Sequence, residues 1–191
     1  MLTLLAALYL SGVLLGTVLY CVLDSEQLEV LNGIAGSFVA DRLNQGFLQT
    51  LVHSFSGVFI LLLVCFLLGF SAVSQLAELA VPMYSGLGVG ASLAGIYSSF
   101  GLPGVGMSAV LVIPNAVVSG FVVIIAAREA FRMSGNVYTL LTGAEAVHEK
   151  IDVRLYFTKF VILCLILAAA SMVNSLLALL FAELWSGLSG A

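Results

Sequence analysis

Five long apolar runs separated by shorter polar stretches set the rhythm of this chain, at approximately residues 2–23, 48–70, 77–98, 106–127 and 156–185. None alternates with the period of two that a half-buried strand requires. Each reaches the roughly 20 residues an α-helix needs to cross about 30 Å of hydrocarbon. In lipid only helices and closed barrels satisfy every backbone N–H and C=O, and unalternating runs of this length exclude barrel strands. The pattern therefore predicts an all-α, polytopic helical membrane protein with about five transmembrane helices. The third and fourth runs, with the link between them, stand apart because they carry Pro82, Pro103, Pro114 and eight of the 19 glycines, so a tight hairpin or partly re-entrant helices are expected there. The fifth is too long for one perpendicular span and is expected to tilt or to begin on the cytoplasmic surface. No internal repeat or low-complexity tract divides the chain, and residues 1–191 are expected to form a single integral membrane domain.

Two of the polar stretches carry patterns of their own. In residues 24–47, Leu28, Leu31, Ile34, Ala35 and Phe38 recur at helical spacing, and Asp24 with Gln27 resembles a capping box. An amphipathic helix lying on the outer membrane surface is expected, with an acidic opposite face of Glu26, Glu29 and Asp41. Gly33 and Gly36 weaken it by about 1 kcal/mol each relative to alanine, so a partner is expected to order it, with Leu28, Leu31 and Phe38 as the candidate contact face. Between residues 128 and 154, Val147, Ile151 and Leu155 share one face while Glu145, His148, Glu149 and Asp152 occupy others. This predicts a cytoplasmic interfacial helix feeding the last span. His148, set among charges, reads as a solvated side chain rather than a ligand.

Composition agrees with a lipid solvent: 62% of the 191 residues are hydrophobic, 8% are charged, and mean hydropathy is +1.20. A net charge of -4 with only six Lys and Arg gives none of the basic face that nucleic acid requires. Five of those six cations, Arg128, Arg132, Lys150, Arg154 and Lys159, lie between or just inside the fourth and fifth runs. By the positive-inside rule that loop is cytoplasmic. Counting spans from it predicts a cell-membrane protein with a cytoplasmic N-terminus, an outer segment 24–47 and an extracytoplasmic C-terminus, with Trp185 near the outer interface. The first run lacks a basic flank and exceeds the length of a signal-peptide core, so it is expected to remain as a span. Cys21, Cys65 and Cys164 lie in or at the ends of apolar runs without a C-x-x-C pair or a histidine cluster, and neither a metal nor another cofactor is expected.

The stretch SGLGVGASLAG, residues 85–95, fits a dinucleotide fingerprint through Gly86, Gly88 and Ala91. Such a turn must follow a strand and be answered by an acid about 20 residues later. Here Pro82 precedes it, and the next acid is Glu129 across another apolar run. In a membrane the same residues read as helix packing. Gly86, Gly90 and Ala94 are spaced by four, as are Gly12 and Gly16 in the first run, and strips without bulk let backbones approach. Packing within the chain and a docking face for another membrane protein, a second copy of the chain included, both fit that spacing.

Polar residues within spans are costly and often functional. His53 lies near the outer end of the second run, Glu78 near the cytoplasmic start of the third, and Asn115 and Asn174 deeper in the fourth and fifth. Pro114 frees a helical carbonyl, so Asn115 either satisfies that broken backbone or contacts a substrate. Asn174, with Ser171 and Ser175, is placed to bond across helices, an interaction of about 0.6 kcal/mol on average. There is no H-E-x-x-H, no G-x-S-x-G and no acid pair at depth, and enzyme activity is not expected.

The order of these features, from YLSGVLLGTVLY through VCFLLGFSAV to YSGLGVGASLAGIYSSFGLPGVGMSAVLVIPNAVVSGFVVIIAA, resembles the stage II sporulation protein M family. The positions that carry the likeness are Gly86, Gly90, Phe100, Gly101, Gly104, Pro114 and Asn115. It covers nearly the whole chain in layout and rests in sequence mainly on residues 84–126. The resemblance implies a multi-pass scaffold that, with peptidoglycan-degrading partners, drives membrane engulfment of the forespore during sporulation. A second class of function, a small transporter or channel subunit, would use a midplane site near Asn115 where the third and fourth helices break.

Overall fold

The computed structural model describes residues 1–22, 47–142 and 152–189. The outer segment with Leu28, Leu31 and Phe38, and the interfacial stretch around Val147, His148 and Ile151, lie outside the described residues, as do the side chains of His53, Phe100 and Trp185. The described chain is all helical: α1 (Leu2–Val22), α2 (Phe47–Leu68), α3 (Gln75–Leu111), α4 (Ile113–Thr142) and α5 (Val153–Ser189). Three stretches are long and apolar enough to cross a membrane, Leu2–Val22, Gln75–Ser98 and Val153–Leu177, and Ser54–Leu68 is a shorter apolar helix. Large apolar side chains such as Leu10, Leu14, Val18, Leu165 and Leu176 point outward, more than half exposed. That is the arrangement of a bundle whose solvent is hydrocarbon.

The broken helices differ from expectation in where they break. α3 runs straight through Pro82, which is fully buried, and the non-helical residue is Gly101, with φ 58° and ψ -138°. That backbone region is open to glycine and strained for residues with a Cβ. Beyond it the chain doubles back, because the Tyr97 hydroxyl and Ser108 Oγ are 3.2 Å apart whereas a continuous helix would separate residues eleven apart by about 16 Å along its axis. A second break follows Leu111. Pro114 then occupies the first turn of α4, where a missing N–H costs no helical bond.

α4 also continues well past residue 127, to Thr142, so Arg128 and Arg132 sit on helix rather than in a loop. The reason is packing. Ala126, Ala127, Ala130, Met133 and Ser134 are buried and extend the inward face of Val122 and Val123 by three to four turns, while the charges occupy the other side.

Cross-helix contacts fix the directions. α1 and α3 touch in ascending register, Gly86 at Tyr9 and Gly90 at Val13, and are therefore parallel. α2 returns between them in sequence. α4 lies antiparallel to α3, with Ser134 at Ser71 and Ser74 and its start beside Tyr9, whose hydroxyl donates to the Ala116 carbonyl at 3.1 Å. α5 is antiparallel to α2, joined by Tyr156 near one end and by Asn174 near the other. Leu62 and Cys65 of α2, the small face of α4, and Tyr156, Phe160, Leu163 and Leu167 of α5 form the core. Phe66 stacks on Tyr156 with ring centres 5.4 Å apart and meets Phe160 edge-on at 5.3 Å.

Candidate functional site

Where the returning chain enters α4, a groove of about 390 Å³ opens between α2, α3 and α4. It is built at helical spacing on each wall: Ser54, Gly57, Val58 and Leu61 from α2, Ser85, Gly88 and Ser92 from α3, and Asn115, Ala116 and Ser119 from α4. Its depth comes from missing side chains, since a Cβ added at Gly57 or Gly88 would meet nothing within 4 Å. Two of the hydroxyls on its walls serve their own backbones: Ser92 Oγ donates to the Gly88 carbonyl at 2.8 Å and Ser119 Oγ to the Ala116 carbonyl at 3.2 Å. Asn115, half-buried on the groove wall, makes no side-chain hydrogen bond among the described residues. The groove is apolar with a few polar groups, which suits a lipid chain, a helix or a small amphiphile more than a hydrated ion.

The other glycines do the opposite. A Cβ at Gly12 would strike the Met83 carbonyl, one at Gly16 the Leu87 carbonyl, one at Gly86 the Tyr9 carbonyl and one at Gly90 the Val13 carbonyl. Ala94, farther along the same strip, is buried at 8% exposure. Gly12, Gly16, Gly86 and Gly90 thus face one another across the α1–α3 seam, backbone on backbone, and the strip is occupied within the chain. Thr17 adds a polar contact to the seam, its hydroxyl 3.5 Å from the Gly90 carbonyl.

Of the two asparagines expected within spans, Asn174 is 3% exposed and its Nδ2 donates to Ser54 Oγ at 3.1 Å, bridging α5 to α2. Its neighbours Ser171 and Ser175 are fully buried, and their hydroxyls have no hydrogen-bond partner among the described residues. At the opposite end of the bundle Tyr156 donates to the Phe66 carbonyl at 3.0 Å, and Gly69 makes room for that phenol. Lys159 pairs with Glu129 at 2.5 Å beside a crevice of about 90 Å³ lined also by Arg132, Asn136 and Asp152.

Glu78 lies near the start of α3, as its place in the third run implies, and what the pattern did not foresee is its burial. It stands near one end of an apolar run, where a solvated acid is ordinary, yet it has no exposed surface. Its Oε1 meets the Ser74 hydroxyl, on which the carbonyls of Leu68 and Ser71 and the Ser134 hydroxyl also converge. The sequence signal that could have found it is Ser74, the residue before α3: it sits four positions from Glu78, on the same helix face. No protein-family model, curated protein or solved structure matches this chain.

Proposed function

We propose that this protein is a multi-pass cell-membrane scaffold that anchors and localises extracytoplasmic peptidoglycan hydrolases, as the stage II sporulation protein M family it resembles does in forespore engulfment. In this reading all five helices contribute to crossing the membrane, the N-terminus is cytoplasmic and the C-terminus extracytoplasmic. Arg128, Arg132, Arg154 and Lys159, gathered where α4 ends and α5 begins, support that orientation. The observation that carries the scaffold reading is the use of the buried polar groups. Asn174 ties α5 to α2, Tyr156 ties α5 to α2, and Tyr9 ties α1 to α4, so polar chemistry inside the bundle holds helices together. Recognition then falls to the outer segment with Leu28, Leu31 and Phe38, and to other membrane proteins or a second copy docking on the bundle.

The test is co-purification from native membranes. Leu31→Glu should release extracytoplasmic wall hydrolases while the protein still inserts, and single changes at His53 or Asn115 should retain them. Hydrolases retained by an inserted Leu31→Glu protein would reject the scaffold. The groove favours one alternative, a small transporter or channel subunit whose solute meets Asn115 at the break between α3 and α4. A solute or an ATPase co-purifying in place of hydrolases would select it.

A further inference from the structure

Three short oxygen–oxygen contacts meet at the joint between α2, α3 and α4, and each needs a hydrogen between its two oxygens. Ser74 Oγ lies 2.8 Å from Glu78 Oε1 and 2.6 Å from the Leu68 carbonyl, and Ser134 Oγ lies 2.7 Å from the Ser71 carbonyl. These are ordinary O–H···O separations. The two serines supply one hydrogen each, and carbonyls supply none. Two hydrogens cannot fill three contacts. If Ser74 donates to Glu78, its lone pairs face the Leu68 carbonyl at 2.6 Å. If it donates to Leu68, the Glu78 carboxylate faces a hydroxyl lone pair at 2.8 Å. The secondary contacts, Ser74 Oγ at 2.9 Å from the Ser71 carbonyl and 3.3 Å from Ser134 Oγ, add acceptors and no donor. The Leu68 carbonyl already accepts from the Ser71 N–H at 2.8 Å, so it cannot turn away without losing the turn.

We propose that Glu78 is a proton-binding site. Its neutral carboxyl donates to Ser74 Oγ, Ser74 donates to the Leu68 carbonyl and shares that hydrogen with the Ser71 carbonyl at 2.9 Å, and Ser134 donates to the Ser71 carbonyl. Glu78 Oε2, buried without a partner among the described residues, is then the carbonyl oxygen of an acid, far cheaper to leave unpaired than half of a carboxylate. A metal cation is the poorer occupant, because the centre of the oxygen cluster is filled by the Ser74 hydroxyl. The titratable groups nearby offer no compensating charge: the Cys65 thiol comes from α2 and the Tyr156 phenol from α5, and Glu129 of α4 is itself an acid, joined to Lys159. α1 is packed along α3 and brings no Asp, Glu, Lys, Arg or His, its polar contacts to the other helices being the Tyr9 hydroxyl on the Ala116 carbonyl and the Thr17 hydroxyl on the Gly90 carbonyl. Losing the proton would take the shared hydrogen out of the joint, so the end of the bundle where α2 turns into α3 is held together by protonation.

Infrared spectroscopy of the purified chain in lipid at neutral pH reads the site directly. The C=O stretch of a protonated carboxyl should be present and should disappear in Glu78→Gln; a Glu78→Gln difference that removes carboxylate bands instead overturns the proposal. Should Glu78→Gln fold poorly, Ser74→Ala gives an independent reading: the band persists and moves to higher frequency as its acceptor is lost. An unmoved or missing band in Ser74→Ala also overturns it. The melting midpoint supplies the third measurement. Glu78→Gln keeps a donor toward Ser74 and should stay within about 2 °C of wild type, whereas the wild type, and not the glutamine variant, should lose stability as pH is raised and the folded-state proton leaves. Equal alkaline sensitivity in both would reject a site at Glu78.

Discussion

The α1–α3 seam and the α2–α3–α4 groove are made of the same material and come out opposite. Both present small residues at three- and four-residue spacing, and α3 contributes to both. On one face of that helix Gly86 and Gly90 are pressed on the backbone of α1, while on another Gly88 stands beside open space with Ser85 and Ser92. The difference lies in the partner. α1 brings its own Gly12 and Gly16 to the seam, so that each small residue receives the carbonyl of the other helix. At the groove α4 begins only at Ile113, after the doubling back at Gly101, and among the described residues no helix fills the space above its first turn. A small-residue strip permits close approach and does not provide the approaching helix.

The largest effect that separates the two regions is expected from Gly90→Leu. The atoms a side chain would meet are the Val13 carbonyl, its carbon and its Cα, and backbone cannot swing aside as a side chain can. Overpacking of an ordinary core costs about 1–3 kcal/mol; here α1 must leave the seam, and the chain should fail to accumulate or should melt far below wild type in detergent. The proper control is Leu14→Ala, at a position 69% exposed. Leu87, which the strip pattern would place toward lipid, is half-buried with its carbonyl against Gly16 and is unsuitable. Equal melting of Gly90→Leu and Leu14→Ala would break the seam half of the comparison.

A middle-sized effect belongs to Asn174→Ala. It removes the bridge from α5 to Ser54, and Ser54 also lines the groove. A loss of about 0.6 kcal/mol is expected, bounded by the roughly 1.7 kcal/mol seen at most for such bonds in membranes, measured as a shift in reversible unfolding in mixed micelles. No loss at all would mean that the amide bond adds nothing that lipid-buried packing does not already supply.

How much of this was written in the chain depends on which force decides each feature. The helices follow from unbroken apolar runs, and so does the small-residue strip, because period and bulk are properties of sequence. The end of α4 does not. Arg128 and Arg132 end the apolar run, but the helix continues because Ala130, Met133 and Ser134 still have α2, α3 or α5 to pack against, and only the assembled bundle reveals that. Prolines drew attention as helix breakers, yet Pro82 is absorbed in α3 and Pro114 sits in a first turn, leaving the sharpest departure to Gly101. Glu78 looked like a boundary acid because burial depends on the neighbours that Ser74 and Ser134 bring to it. The groove was half legible: the break near Asn115 was expected, whereas the emptiness beside Gly57 and Gly88 is a tertiary fact.

Smaller still should be the response to Gly88→Leu. A Cβ there meets nothing within 4 Å, so the side chain enters the groove without moving a helix, and stability should change by no more than about 0.5 kcal/mol. Beside Gly90→Leu, two positions away on the same helix, this is the sharpest contrast available between a filled and an unfilled face. A Gly88→Leu protein as unstable as Gly90→Leu would show that the groove closes in the membrane.

The least stability effect, and the most informative functional one, is expected from Asn115→Ala. The amide makes no side-chain hydrogen bond among the described residues, so its removal breaks no tie between helices, unlike the loss of Asn174, and the melting curve should overlay that of wild type. Function then divides two ways. In a scaffold, hydrolase capture and membrane migration around the forespore of a sporulating host should be unchanged by Asn115→Ala and also by Gly88→Leu, because neither alters the outer segment. In a transporter both variants should abolish activity with the bundle intact, one by removing the polar contact and the other by filling the space the solute would occupy. Loss of activity in a fully inserted Asn115→Ala protein that still captures its partners would therefore move the working part of this molecule from its outer segment to the groove.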